Sequence, residues 1–362
     1  MENPQQIQDQ LLQELGQSTA ALVPLFFSQM PKEYFSCTCR EEQQQHLRAL
    51  LAQPESTQVT VLCEPSPANY AAAAALFEEA GRRPPPNEPV LERLLSRYGD
   101  QLDAALIVTP HAYHAAQATA CLECGLDVLL EKPMVISGAE ADQLIATRDR
   151  TGRVLVVAFP GSLSPQIRSA VQLLRDGALG QILTISGLSW ENWRTPNLGT
   201  WRQQPELAGG GFFFDTGAHM LNTITDLAGE EFAEVSAWFD ARETPVEVLG
   251  AVMARLRSGV LVTMNACGDT CTRSTSDIRV FCTQGIIFTD IWGHFLQIQR
   301  PGQPHPEPIA VAPSLGVWQQ FLAVRSGTLA NPCPPEIGLR MARLWDAIRQ
   351  SAAQEGRLVR LA

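Results

Sequence analysis

Long apolar runs are missing from this chain. The longest early one, 20–27, falls far short of the roughly twenty residues that cross a bilayer. The segment before it is rich in Gln and Glu. It lacks the basic start and small-residue cleavage site of a signal peptide, which places the chain in the cytoplasm. Positive charge is also in deficit: 27 Lys and Arg face 38 Asp and Glu, a formal net charge of −11. A negative surface argues against nucleic acid and anionic membrane as main partners, while leaving room for a local basic pocket. A second CxxC pair is absent. Cys121 and Cys124 form a lone CxxC among nine cysteines, an odd count that favours reduced, buried thiols over a disulfide framework or a metal site. His111 and His114 lack a carboxylate at metal-ligand spacing, so no metal is expected. No internal repeat or low-complexity linker stands out.

What is present is an α/β pattern. With 362 residues, 45% of them hydrophobic, the chain is long enough for two cores. Residues 1–30 read as a polar helical extension with an apolar end. Residues 31–159 alternate strand and helix, with strands at 34–39, 59–63, 104–110, 127–133 and 154–159 and helices over 69–80 and 112–124. Runs such as ALIV and VLVV are apolar without alternation, as in strands covered on both faces. Alternating strands and helices imply a parallel sheet. From 160 to 362 the character changes. A helix over 166–176 precedes longer alternating stretches such as EVSAWFDA and VLGAVMARLR, which predict a large, mainly antiparallel sheet. The C-terminal helices, from 317 to 353, are expected to return toward the first domain.

Three stretches carry chemistry. LIVTPHAYH ends a buried strand in Thr109-Pro110, and ligands of open α/β sheets bind off the carboxyl ends of strands. DVLLEKPM ends another in Glu131-Lys132-Pro133. An ammonium there can hold a hydroxyl oxygen as negative charge develops, although a surface Glu-Lys salt bridge also fits. LAGGGFFFDTGAHMLNTI opens with three glycines, which let backbone approach a ligand closely. It sets Asp215 and His219 four apart, on one face of a helix. A carboxylate beside an imidazole is a natural acid–base unit, and a capped helix with a satisfied histidine is the bland alternative.

Taken together, TPxxxH, EKP, DGALG and GGGxxxDxGxH resemble the glucose–fructose oxidoreductase/inositol dehydrogenase (Gfo/Idh/MocA) family, from about residue 33 to the C-terminus. The resemblance implies a Rossmann domain and a second α/β domain whose open sheet often mediates homo-oligomerisation. It implies NAD(P)-linked hydride transfer to or from a sugar, cyclitol or related polyol. Lys132 then contacts the reacting hydroxyl, His219 is the acid–base residue and Asp215 supports substrate and histidine. Thr109, Pro110, His114, Glu131 and Lys132 line the cofactor crevice.

Some positions depart from the family pattern. Anchored on His46, the three glycines of the GxGxxG turn fall on Thr38, Arg40 and Gln43, so side chains stand where backbone would meet a pyrophosphate. Arg40 offers a guanidinium to a phosphate, or is an ordinary surface residue. Pro160-Gly161-Ser162 stands where an Asn-Arg-Arg stretch is common, and Asn222 where an aspartate often follows the histidine. Because of the lost glycines, a catalytically silent binding or scaffold subunit is the competing reading. Glu64, at the end of the second strand, suits adenosine ribose hydroxyls and favours NAD over NADP, or else is a turn acid. In SWENWRTPNLGTWRQQP, Trp201 and Arg202 suit substrate recognition, with loop packing the alternative.

Overall fold

The computed structural model describes residues 20–26 and 37–361, with side chains from Gln43 to Leu361. It divides into two compact units. The first comprises 1–134, 142–158 and 315–335, the second 135–141, 159–314 and 336–362.

The first unit is built on a five-stranded parallel sheet in the order β2-β1-β3-β4-β5. Its strands are β1 (Ala20–Phe26), β2 (Thr57–Val59), β3 (Ala104–Val108), β4 (Asp127–Leu130) and β5 (Leu155–Val157). β3, β4 and β5 are buried at every position, which explains their unbroken apolar sequence. A lone parallel bridge, Leu62 to Asn87, continues the sheet beyond β2. Strand order reverses between β1 and β3, the place where doubly wound sheets open a ligand crevice.

Two expectations for this unit are corrected. Ala20–Phe26 is not the apolar end of a helix: it is β1, paired in parallel with both β2 and β3. Pro24 fits because β2 pairs only with Ala20 to Leu22, so proline lies past the end of that ladder. The strand expected at 34–39 is not a strand where described, since Cys37 opens the helix Cys37–Leu51. Thr38, Arg40 and Gln43, assigned above to the glycine turn, therefore have helical backbone. The connection after β1 is 27–36, which also contains no glycine. It lies outside the described residues, as do the helix expected over 1–19 and residues 34–36.

The helix Val317–Arg325 and the segment after it complete this unit. Trp318 Nε1 donates to Thr57 Oγ1 (2.6 Å), Arg325 Nε to Asp127 Oδ2 (2.6 Å) and Asn331 Nδ2 to Leu155 O (2.9 Å).

The second unit carries a nine-stranded sheet, order β13-β12-β11-β10-β6-β9-β8-β7-β14. The strands are β6 (Ile182–Trp190), β7 (Phe232–Asp240), β8 (Leu249–Leu256), β9 (Leu261–Cys267), β10 (Thr275–Cys282), β11 (Gly285–Thr289), β12 (Leu296–Gln299), β13 (Glu307–Pro308) and β14 (Val359–Arg360). Only β6 and β9 pair in parallel; the other neighbours are antiparallel. The helix Gly217–Ala228 packs against β6, where a Cβ on Gly187 would lie 2.7 Å from Ile224 Cδ1. The missing side chain brings that helix close to the sheet.

Among the described residues the named cysteines are free thiols. Burial pushes the Cys63 thiol up to about 12, so it is inert. No described helix is long and apolar enough to cross a membrane.

Candidate active site

In the first unit the candidate residues gather at the carboxyl ends of strands. Thr109 follows β3, and its Oγ1 donates to Gln117 Oε1 at 2.8 Å. His114 is fully buried. Its Nδ1 lies 2.7 Å from Pro133 O and its Nε2 2.8 Å from Thr109 O. Burial drives its pKa down, against the pull of the two carbonyls. The ring is a strut that ties the end of β3 to the EKP segment, with neither nitrogen turned to a ligand.

Glu131 is held firmly. His46 Nε2 donates to its Oε1 (2.6 Å) and the Lys132 backbone N–H to its Oε2 (3.0 Å). Burial opposes its charge, but the His46 hydrogen bond, the His46 and Lys132 charges and the Lys132 N–H outweigh it. The carboxyl stays below its ordinary value. The Lys132-Pro133 bond is cis. Glu64, 1% exposed, accepts the Ser66 N–H at 2.8 Å on Oε1, while its backbone exchanges hydrogen bonds with the Asn87 side chain. Ser66 in turn caps the helix Pro67–Glu79. Glu64 thus shapes the turn after β2 with its side chain buried.

In the second unit the three glycines make a crowded turn. Gly209 is left-handed (φ +74°) and ends the helix Pro205–Ala208. A Cβ on Gly210 would lie 2.6 Å from Trp345 Cζ2, and one on Gly211 would lie 2.0 Å from Glu247 O. These glycines serve the packing of their own chain; close approach to a ligand is not what their surroundings require. Glu247 clamps the turn: its Oε1 accepts the Gly211 N–H at 2.6 Å and its carbonyl the Phe212 N–H at 2.9 Å. Burial pushes the Glu247 carboxyl up to about 7, against the opposing pull of backbone N–H groups and Arg349.

The turn delivers Asp215 just before the helix Gly217–Ala228, whose first turn carries His219. Asp215 Oδ2 accepts from Trp193 Nε1 and pairs with Arg202 Nε, both at 2.9 Å. The Arg202 guanidinium lies 4.6 Å from the centre of the Trp201 ring. Trp201 is only 2% exposed and Arg202 6%. Of the two readings given for this stretch, substrate contact and loop packing, their burial fits packing, and Arg202 fixes the Asp215 carboxylate. The His219 ring meets Phe159 edge-on at 5.8 Å and Trp292 at 6.0 Å.

The two departures from the family pattern meet each other. Asn222 Nδ2 donates to Ser162 Oγ (2.8 Å), and Ser162 Oγ donates to Asp226 Oδ2 (2.7 Å). Asp226 is fully buried and pairs with Arg168. The altered stretch thus packs against the His219 helix through a polar network that includes that helix's own Asn222 and Asp226. Sequence reasoning missed the His46–Glu131 pair, Glu247 and Trp292.

The family model described as "Oxidoreductase family, NAD-binding Rossmann fold" matches residues 40–159, and "GFO/IDH/MocA C-terminal domain" matches 167–288. The chain belongs to the Gfo/Idh/MocA family. Its first domain is a family NAD-binding Rossmann fold, and the match begins past β1 and the connection after it. This Gfo/Idh/MocA protein is 26% identical over 307 residues to a levoglucosan dehydrogenase of Pseudarthrobacter phenanthrenivorans, covering 69% of this chain and 77% of that one. It is 31% identical over 151 residues to a putative UDP-kanosamine synthase oxidoreductase subunit of Amycolatopsis mediterranei, covering 38% of this chain and only 41% of that one. Its fold matches an inositol dehydrogenase homolog of Azotobacter vinelandii, solved in complex with NAD+. The TM-score there is 0.77 at 18% identity, covering 95% of this chain and 98% of that one.

Proposed function

We propose that the protein transfers hydride between a nicotinamide dinucleotide and a hydroxyl-bearing carbon of a sugar, cyclitol or related polyol. The observation that carries this reading is the Asp215–His219 turn. In a chain of this family, a carboxylate fixed by Arg202 and Trp193 immediately precedes a helix whose first turn presents an imidazole. Levoglucosan dehydrogenase and the inositol dehydrogenase homolog point to the same class of substrate.

The switch in strand order and the groups at the strand ends suit a dinucleotide. Glu64, Thr109, Pro110 and Glu131 would hold it. When bound, the dinucleotide supplies the hydride acceptor or donor. His219 takes the hydroxyl proton in oxidation and returns it in reduction. Lys132 steadies the negative charge that grows on the hydroxyl oxygen. Asp215, fixed by Arg202, orients the substrate and supports the charged imidazole.

Titration of NADH fluorescence tests the cofactor half. We expect saturable binding, weaker than in relatives that keep the glycine turn, and tighter for NADH than for NADPH because Glu64 repels a 2′-phosphate. Absence of a signal at roughly millimolar cofactor, the upper end of the usual KM range, sinks the oxidoreductase reading and leaves a binding subunit.

The open face of the nine-stranded sheet supports a homo-oligomer. Trp238, Met253, Leu261 and Leu188 lie on that face, and each is 39–56% exposed. An apolar face of this kind suits a second copy of the chain. Sedimentation should give a dimer or larger that the Trp238→Glu, Met253→Glu double variant reduces to monomer. A monomeric parent protein removes the idea.

A further inference from the structure

We infer that Trp292 is a substrate platform that takes the C–H face of a ring-form polyol, a pyranose or a cyclitol, beside His219. This rests on the proposed hydride transfer and deepens it, because it separates cyclic from acyclic substrates.

Of the three tryptophans in SWENWRTPNLGTWRQQP, Trp190 ends β6 and the other two are enclosed. Trp193 and Trp201 are each 2% exposed, so they have no face to offer. Trp238 belongs to the open sheet face. Trp292 is half-buried, and its ring is set against the proposed acid–base imidazole, 6.0 Å between centroids at 53°.

Trp292 lies in the connection between β11 and β12, and that connection is rigidly braced. Asp290 Oδ1 accepts the N–H groups of Trp292 (3.1 Å) and His294 (2.9 Å), and Asp290 Oδ2 lies 2.7 Å from His294 Nδ1. Ile291 O accepts from Thr223 Oγ1 (2.9 Å), on the same helix as His219, and Ile291 N donates to Ser276 Oγ (3.1 Å). Gly293 is left-handed (φ +72°) and so tight against Ser164 that a Cβ would lie 2.0 Å from its Oγ. The indole is thus positioned from two sides relative to His219, before any ligand arrives. The His294 ring lies 5.5 Å from it, tilted at 37°.

An indole face attracts polarised C–H groups and excludes water from one side of a sugar. A pyranose or cyclitol presents such a flat, prearranged face. An acyclic polyol presents none, and loses more conformational freedom on binding.

The test compares wild type, Trp292→Ala and Trp292→Phe on aldopyranosides and myo-inositol against sorbitol and glycerol. Trp292→Ala should raise KM for ring substrates about tenfold, the scale of one aromatic contact, with a smaller change in kcat. The ratio of kcat/KM for cyclic over acyclic substrates should fall. Trp292→Phe should restore most of it, and NADH affinity should stay within about twofold of wild type in both variants. An unchanged ratio in Trp292→Ala overturns the proposal, as does an equal loss of NADH affinity. Calorimetric titration of the ring substrates into NADH-loaded protein is read alongside. Binding by wild type that Trp292→Ala abolishes supports the platform even where turnover is absent, an outcome that would fault the hydride-transfer reading alone. Equal binding by both proteins, or none by either, overturns the platform.

Discussion

Replacing His219 by alanine should lower kcat by roughly a hundred- to ten-thousand-fold, the usual contribution of a positioned acid–base group. Lys132→Ala should cost about a hundred- to a thousand-fold, as when one charge-stabilising donor is removed from an active site. On the proposed mechanism the two losses should not add, since both roles concern the same hydroxyl. The chain has just two lysines, Lys32 and Lys132, so little else can supply an ammonium. Lys132→Arg should recover little, since a broad planar guanidinium does not replace a compact point charge. His219→Ala should also flatten the pH dependence of kcat/KM. Neither variant should unfold the protein: removing the imidazole leaves Phe159 and Trp292 facing a small gap, worth a few degrees in Tm. The measurement is steady-state kinetics across pH on a substrate that the wild type turns over. Activity within tenfold of wild type for His219→Ala would remove it from the chemistry.

Glu247→Gln should stabilise the protein above pH 7 and have little effect near pH 4. Burial raises the carboxyl from 4.5 to about 7 in the folded chain. Between those values the folded state binds a proton that the unfolded state has released, so folding weakens as pH rises through this window. Glutamine keeps an acceptor for the Gly211 N–H and has no charge to bury. The gain at pH 8 should be on the order of 2 kcal/mol, below the full shift because the side chain keeps some contact with water. Urea unfolding at pH 4, 6 and 8 checks this. A constant difference across the three would show that Glu247 carries no proton-linked cost. Since Glu247 braces the turn that leads to Asp215, the same titration should alter kcat/KM in wild type more than in the variant.

The second unit's sheet was largely legible because its strands alternate. β8 and β9 bury every other residue, so pattern and structure agree in period, with the apolar Met253 and Leu261 left on the open face. β3 and β4 were equally clear as short, fully apolar runs between turn signals. β1 was not. Its letters, AALVPLF, follow a Gln-rich helical pattern, and a continuous apolar run fits a buried helix end as well as a buried strand. Pro24 was the available warning, since proline is unwelcome inside a helix. Conversely FSCTC has strand propensity, yet its last three residues open a helix, and tertiary context decided the outcome.

The site followed the same division. Lys132, Asp215 and His219 stood out because their spacing belongs to a recognisable motif. The type of a tryptophan does not reveal its burial, so Trp201 stood open between substrate contact and loop packing, and Trp292 passed unnoticed in DIWGHF. Glu247 had no local signal at all. Its partner Gly211 is 36 positions away, and only folding brings the two together.

The excursion of residues 315–335 into the first unit has a consequence for biosynthesis. Trp318, Arg325 and Asn331 supply ties to Thr57, Asp127 and Leu155. A nascent chain that has emerged from the ribosome only as far as residue 158 therefore holds every strand of the nucleotide-binding sheet but none of these fastenings. That sheet waits, incompletely covered, until translation has passed through nearly the whole of the other unit, and over this interval a chaperone would find it most exposed.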